Sequence, residues 1–382
     1  MKKIRPTTVF LQNIISPYRA RFFNVLQQHY EDFAVFYMGK NEPGKFWDTS
    51  NIEMNYKYWV DRLGLYLKFS DKFDTHFNLL LLFKIFFTRK IKNIVLAVSW
   101  TDLNVMIIAI IKKLHLTRKR IFFWAEANYL AEWTTHKSKL IKWLKRIVFS
   151  SVDGAMIVPG KMAIMSFERW EIPLKDYILL PNSINDSELI FEGKEKSNAL
   201  PVFVMPMRLI EGIKGGLNFF NSIGLKNIRK ALFIIAGDGV DYEKYQTYVQ
   251  ENDLSDHIIL KGFCNTSQMN DIYNSADAFI LPSYFDCSPL SVVEAIYMHL
   301  PLLISENCGN HFEAVKEGEN GYLFNPYNQH DIKDKFEIFM SKLNEWEQMG
   351  DVSALIYENS FNTHRVVKRF ADEFKARMRV ND

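Results

Sequence analysis

Residues 202–216 read VFVMPMRLIEGIKGG. A short apolar run rich in β-branched and aromatic residues, Val202–Met205, stops at a turn holding Arg208, Lys214 and paired glycines. The helix-like Leu217–Ile223 follows, so the stretch reads strand, turn, helix. Two cations beside glycines at such a turn make a candidate diphosphate site, since helix amides and the helix dipole add to the positive field. Arg can bind phosphate oxygens in pairs, while Lys offers a point charge. Solvated loop cations are the alternative reading.

The same alternation runs along the whole chain. Candidate strands are Val9–Gln12, Ala34–Tyr37, Ile94–Val98, Ile121–Trp124, Ala155–Val158 and Tyr177–Leu180. A second series comprises Val202–Met205, Leu232–Ala236, Ile258–Leu260, Ala278–Leu281, Leu302–Ile304 and Gly321–Phe324. Helix-length segments separate them, which predicts an α/β protein with parallel sheets covered on both faces. The polar stretch Ser187–Leu200 reads as a linker, with Asn182–Asp186 closing the first domain. The expected domains are 1–186 and 201–358. The remaining 359–382 holds Val366, Val367, Phe370, Phe374 and Met378 at helical spacing over Phe361–Arg379. Doubly wound domains hold ligands at the carboxyl ends of their strands.

The 382 residues carry a net charge of +3, are 48% apolar and 24% charged, and suit two globular domains. Cys264, Cys287 and Cys308 form no CxxC pair and read as reduced, small buried hydrophobes of a cytoplasmic protein. Residues 1–190 hold 28 Lys/Arg against 17 Asp/Glu, and residues 191–382 hold 19 against 27, so +11 and −8 sum to +3. A basic half suits nucleic acid or an anionic membrane; without zinc-finger or RNA-binding signatures, the membrane is preferred and no nucleic acid is expected. Met1-Lys2-Lys3 opens no secretory signal, and Leu79–Phe87 and Leu103–Ile111 are too short to span a bilayer. Within His136–Phe149, Leu140, Ile141, Leu144, Ile147 and Val148 line one helical side, with Lys142, Lys145 and Arg146 opposite. The stretch Lys137–Arg146, with Trp143 and the nearby Leu79–Lys92, is a candidate for peripheral docking on an anionic membrane. A core-facing helix with a solvated back is the other reading.

No GxGxxG and no Walker sequence is present, which removes a dinucleotide fingerprint and a P-loop. Gly237-Asp238-Gly239 follows a strand and either admits a ligand or makes an ordinary turn. Residues 282–301, PSYFDCSPLSVVEAIYMHLP, set Asp286 and Glu294 eight positions apart across a loop-to-helix junction. Ser288 is the expected N-cap with Pro289 at the first helical position. Two fixed carboxylates can accept hydrogen bonds from a sugar hydroxyl and a ribose, and the amides of Cys287 to Ser291 can face a phosphate.

In their order, Arg208 and Lys214, Gly237-Asp238-Gly239, Asp286-x7-Glu294, Ser305-Glu306-Asn307-Cys308-Gly309 and Glu313-Ala314-Val315 resemble the C-terminal domain of family 4 glycosyltransferases. Ser16-Pro17-Tyr18-Arg19, Ser99-Trp100, Trp124-Ala125-Glu126, Pro159-Gly160 and Pro181–Asn185 agree more loosely. The resemblance implies the GT-B arrangement, two Rossmann-like domains facing across a cleft, with the terminal helix crossing back. It also implies sugar transfer with retention from a UDP- or GDP-sugar to a glycan or lipid-linked acceptor, as in bacterial surface polysaccharide assembly. By it, Arg208 and Lys214 hold the donor diphosphate, Glu294 the ribose, and the backbone at Lys261-Gly262-Phe263 the base. Ser288, Pro289, Leu290 and Ser291 complete the donor site. Ser16, Pro17, Tyr18 and Arg19 form the acceptor or phosphate loop, which lacks the family's paired glycines. Asp286 departs from the family's E-x7-E. Glu126, at the end of a buried-looking strand, is the candidate for orienting or deprotonating the acceptor hydroxyl. No Asp-x-Asp occurs, so no metal or cofactor is expected and the two cations would neutralise the leaving group. A nucleotide-sugar 2-epimerase and a non-catalytic sugar-nucleotide-binding subunit are the rival readings.

Overall fold

Every candidate strand named above forms a strand, with ends shifted by a residue or two. The computed structural model describes residues 6–40, 52–70, 73–130, 139–172, 174–193 and 200–379. The strands are β1 (Thr8–Gln12), β2 (Phe33–Tyr37), β3 (Tyr58–Val60), β4 (Leu65–Ser70), β5 (Phe73–Phe77), β6 (Asn93–Leu96), β7 (Arg120–Trp124), β8 (Met156–Val158) and β9 (Tyr177–Leu179). They continue as β10 (Val202–Pro206), β11 (Leu232–Ala236), β12 (Ile258–Gly262), β13 (Ala278–Leu281), β14 (Leu302–Ser305) and β15 (Gly321–Phe324).

One compact unit comprises 1–159, 163–181 and 363–382. Its parallel sheet has the order β3-β2-β1-β6-β7-β8-β9. Alternate residues of each strand feed opposite faces, so Val9 and Leu11 enter one core and Phe10 the other. The helix Pro17–His29 and the terminal helix Thr363–Arg379 cover the Phe10 face. Phe374 lies 4.8 Å from Phe122 and Phe370 5.8 Å from Phe22, ring centroid to centroid. Each such buried aromatic contributes about 1.5–3 kcal/mol, which ties the last helix to this unit. Arg377 adds a two-pronged pair with Asp176, at 2.7 and 3.0 Å.

The other unit comprises 160–162 and 182–362. Its parallel sheet has the order β12-β11-β10-β13-β14-β15. The strand order reverses between β10 and β13, so the loops leaving these neighbours open a crevice at the carboxyl edge. Asn182–Asp186, expected to end the first domain, belongs here instead, as does the start of the expected linker. Ile184 and Leu189 are buried in this unit's core, Phe191 stacks on His299 at 4.0 Å, and the Ile190 and Glu192 amides donate to Asn270 and Asn274. The polarity of 187–193 concealed these alternating anchors. Residues 194–199 lie outside the described residues.

Three strands were not foreseen. β3 joins the edge of the first sheet, and β4 pairs with β5 in a separate antiparallel ribbon. Lys68, Asp74 and His76 interrupt the apolar pattern there. The basic helix also differs from its reading, and residues 137 and 138 lie outside the described residues. In Lys139–Ser150, Lys145 is buried with its ammonium over Trp170, 2.9 Å from the ring centroid, and Arg146 pairs with Glu171. Leu140, assigned to the apolar side, is 60% exposed. Cation–π attraction and the apolar Lys stem favour this inversion.

Candidate functional site

Backbone pairing continues past the ends of β10 and β11 and fixes where Arg208 leaves the sheet. Met207 N–H donates to Ala236, Leu209 N–H to Asp238, and Asp241 N–H to the Leu209 carbonyl. This close approach is what the glycines of 237–239 serve. Gly237 has φ +150°, and a Cβ there would stand 2.0 Å from the Met207 carbonyl oxygen. They admit the chain's own backbone. Arg208 is exposed, and its guanidinium has no hydrogen bond or ion pair among the described residues.

The cations and glycines at 208–216 do not build the phosphate site in the expected way. The short helix Glu211–Lys214 turns the Glu211 carboxylate onto the helix Gly216–Ile223, where it accepts from the Leu217 and Asn218 amides at 3.0 Å each. Tyr245 also donates to it, at 2.6 Å. A carboxylate therefore already satisfies the helix end that was expected to meet a diphosphate. Nothing in the sequence spacing marks Glu211 as this cap.

The open helix start lies across the crevice. The helix Leu290–Tyr297 begins after Pro289, one residue later than expected, so Pro289 occupies the cap position and Ser288 precedes it. No side chain caps this helix and no acid stands in its first turn, which leaves the Leu290 and Ser291 amides without a side-chain acceptor. The preceding loop is held from three sides. Asn307 donates to the Tyr284 carbonyl and Asn310 to that of Pro289, each at 2.9 Å, and Asn182 donates to that of Ser288 at 3.4 Å.

Lys214 and Asp286 meet here, Nζ to Oδ2 at 2.5 Å, with side chains 14% and 21% exposed. The other Asp286 oxygen accepts from the Ser288 amide at 3.3 Å. Asp286, expected to read a sugar hydroxyl, thus already positions the cation and the loop. Glu294 lies a little over one turn into its helix and accepts from Tyr273 at 2.7 Å. Burial holds the Glu294 carboxyl above its ordinary range, and the Tyr273 hydrogen bond offsets part of this. Burial first, and then the Glu294 charge, raise Tyr273 in turn. At the end of β12, Gly262 sits in a bulge at φ +66° with its carbonyl accepting from Gly237, and the next residue, Phe263, is 69% exposed.

In the N-terminal unit, Ser16 precedes the helix Pro17–His29, so Pro17, Tyr18 and Arg19 form its first turn rather than a loop. Arg19 is 8% exposed, lies 3.8 Å over Trp124, and pairs with Glu126 at 2.9 Å. It is thereby turned onto the end of β7. Glu126 is more than an exposed rim carboxylate, because it balances a buried guanidinium. Glu126→Ala should lower unfolding stability by about 1–3 kcal/mol, discounted for its partial exposure, while Glu126→Gln keeps an acceptor and loses less. Thermal unfolding of both variants checks this. Of the cysteines, Cys308 is buried and Cys264 and Cys287 are partly so, all as free thiols.

The family model described as glycosyl transferases group 1 matches residues 186–353. The lipopolysaccharide 1,6-galactosyltransferase of Salmonella typhimurium is 27% identical over 158 residues, 41% of this chain and 44% of its own length. The alpha-galactosylglucosyldiacylglycerol synthase of Streptococcus pneumoniae is 27% identical over 231 residues, 50% of this chain and 58% of its own. The chain thus spans about half the length of these relatives. Among solved structures, Anabaena HepE in complex with UDP superposes with a TM-score of 0.72 at 13% identity, covering 97% of this chain and 100% of that one. A glycosyltransferase from Rickettsia africae gives 0.73 at 11% identity, covering 99% and 100%.

Proposed function

We propose that the protein, whose residues 186–353 match the group 1 glycosyl transferase model on a chain of GT-B fold, moves a sugar, with retention, from a UDP- or GDP-sugar to a hydroxyl of a glycan or lipid-linked acceptor. The reading puts it on the cytoplasmic side of the membrane, in bacterial surface polysaccharide or glycolipid assembly. One observation carries it: at the strand-order reversal the loops after β10 and β13 bring Lys214 onto Asp286, beside an uncapped helix start. Such a place suits a diphosphate.

In this reading the C1–O bond to the donor phosphate breaks with its electron pair passing to the phosphate oxygen. The acceptor oxygen bonds to C1 on the same face, and its proton passes to a donor phosphate oxygen. Arg208 and Lys214 stabilise the growing charge in place of a metal, so turnover persists in EDTA. Glu126, held by Arg19, orients the acceptor hydroxyl. An unchanged turnover in Glu126→Gln removes that role.

Glu294 receives the ribose hydroxyls, and this predicts a pH dependence. Those hydroxyls donate to the ionised carboxylate, whereas burial of the Glu294 carboxyl raises its pKa and favours its protonated form. UDP affinity should therefore fall as pH drops through that raised value, and Glu294→Gln should flatten the profile. For folding alone the sign is opposite: this group's contribution is present below the ordinary carboxylate range and is lost as pH rises through the raised value. Titration calorimetry across pH measures the first effect. Thermal stabilisation by a panel of UDP- and GDP-sugars tests donor binding itself, since a ligand of the folded state alone raises apparent stability. A panel that stabilises nothing contradicts the reading.

A further inference from the structure

The helix Leu79–Phe87 is apolar on both of its faces. Leu81 and Ile85 are fully buried, whereas Leu79, Phe83 and Phe87 are 70%, 57% and 71% exposed, with Leu80 beside them. Positions 79, 83 and 87 are successive turns of one stripe, and Phe83 stacks on Phe87 at 4.3 Å. The helix Leu103–Lys113 packs into the same core and is followed by Leu114 and Leu116, 63% and 72% exposed. An outward apolar ridge of this kind calls for a partner.

Charge identifies the partner. Between Leu79 and Arg120 the one acidic residue is Asp102, which is buried and caps the second helix. Arg89, Lys90, Lys92, Lys113 and Arg118 are exposed around the ends of the two helices. Internal ties hold the two connections together: Lys119 donates to the Thr88 carbonyl at 3.0 Å, and Lys112 donates to that of Lys119 at 2.8 Å. Lys112 is also neutralised by Asp153 at 2.5 Å. Burial lowers the Lys119 pKa. Phe86, Arg89, Lys92, Leu116 and Arg118 share the wall of a cavity of about 810 Å³, which has Asp32 as its acid. Leucine and phenylalanine ringed by cations fit a surface that is apolar beneath and anionic on top.

We propose that this face docks on an anionic lipid bilayer. Leu79, Phe83, Phe87, Leu114 and Leu116 enter the acyl boundary, and Arg89, Lys90, Lys92, Lys113 and Arg118 meet headgroup phosphates. The docking surface thus keeps the Leu79–Lys92 part of the expected region and not its Lys139–Arg146 part, where Lys145 is buried and Arg146 is paired. It is independent of the catalytic reading, because vesicle binding needs neither donor nor turnover.

The test is co-sedimentation of the full chain with phosphatidylglycerol-containing and pure phosphatidylcholine vesicles, at low and high salt. The wild type should pellet with the anionic vesicles alone, and less at high salt. Phe87→Gln with Leu116→Gln should reduce the partition about tenfold or more, as should Arg89→Gln with Lys90→Gln and Arg118→Gln. These side chains are exposed, so unfolding midpoints should stay near wild type, and Leu140→Gln with Trp143→Gln should bind as wild type. Equal binding to both vesicle types, or loss only in the Leu140/Trp143 variant, overturns the proposal. So does a vesicle-free dimer that Phe87→Gln dissociates, since the ridge would then cover a second copy.

Discussion

Replacing Arg208 or Lys214 by alanine should lower turnover about 100-fold, the scale for removing one preorganised donor to a developing oxyanion. The two variants should differ in every other respect. The Arg208 side chain is exposed and its guanidinium makes no hydrogen bond or ion pair among the described residues, so Arg208→Ala should unfold at the wild-type temperature. Lys214 pairs with Asp286 where both side chains are largely covered. Lys214→Ala removes the cation beside that carboxylate and should cost about 1 kcal/mol or more of stability. The double change Lys214→Ala with Asp286→Ala should recover part of the stability and none of the turnover. Recovery of turnover in the double variant would mean that the lysine acts only by neutralising Asp286. Steady-state kinetics with calorimetric unfolding measures both quantities on the same samples.

Gly309→Ala should be at least as damaging, although Gly309 touches no reacting group in the proposed mechanism. A Cβ at this position would lie 1.8 Å from the Cys287 carbonyl oxygen. That oxygen is backbone, so no rotamer change relieves the overlap and the loops must part. Their separation breaks the hydrogen bond that the Gly309 N–H donates to the Asp286 carbonyl, at 2.9 Å. It also moves the segment that aims Asp286 at Lys214 and starts the helix at Leu290. A loss of about 3 kcal/mol is expected, with UDP affinity reduced even at temperatures where the protein remains folded. A variant with wild-type melting and binding would show that the loop can shift freely, and the fixed donor loop would have to be abandoned.

How much the sequence disclosed follows from how local each feature is. β10 to β15 were legible because buried parallel strands are nearly continuous apolar runs, each bounded by its own turn. Arg208, Lys214, Asp286 and Glu294 were legible as residue types at strand-to-helix junctions. The Lys214–Asp286 pair was not, since 72 positions separate its members. Glu211 escaped notice because a cap reaching six and seven residues ahead follows no helical period. Lys145 was misplaced for a similar reason: its partner, Trp170, lies on the next helix–loop segment, and helical periodicity alone cannot distinguish a snorkelling lysine from a buried one. The β4–β5 ribbon escaped because its polar residues carry no continuous apolar signal. Gly309 was named only as the end of the Ser305–Gly309 motif, and its packing against the Cys287 carbonyl, across the fold from its own loop, leaves no local signal.

Release of nucleoside diphosphate from each UDP- and GDP-sugar, with and without an extract of lipid-linked acceptors, probes the proposed transfer most directly. The prediction is release from one donor that requires the acceptor, persists in EDTA, leaves the sugar on the acceptor, and falls about 100-fold in Arg208→Ala. Release from no donor, or conversion of the donor to its epimer without acceptor, would contradict it.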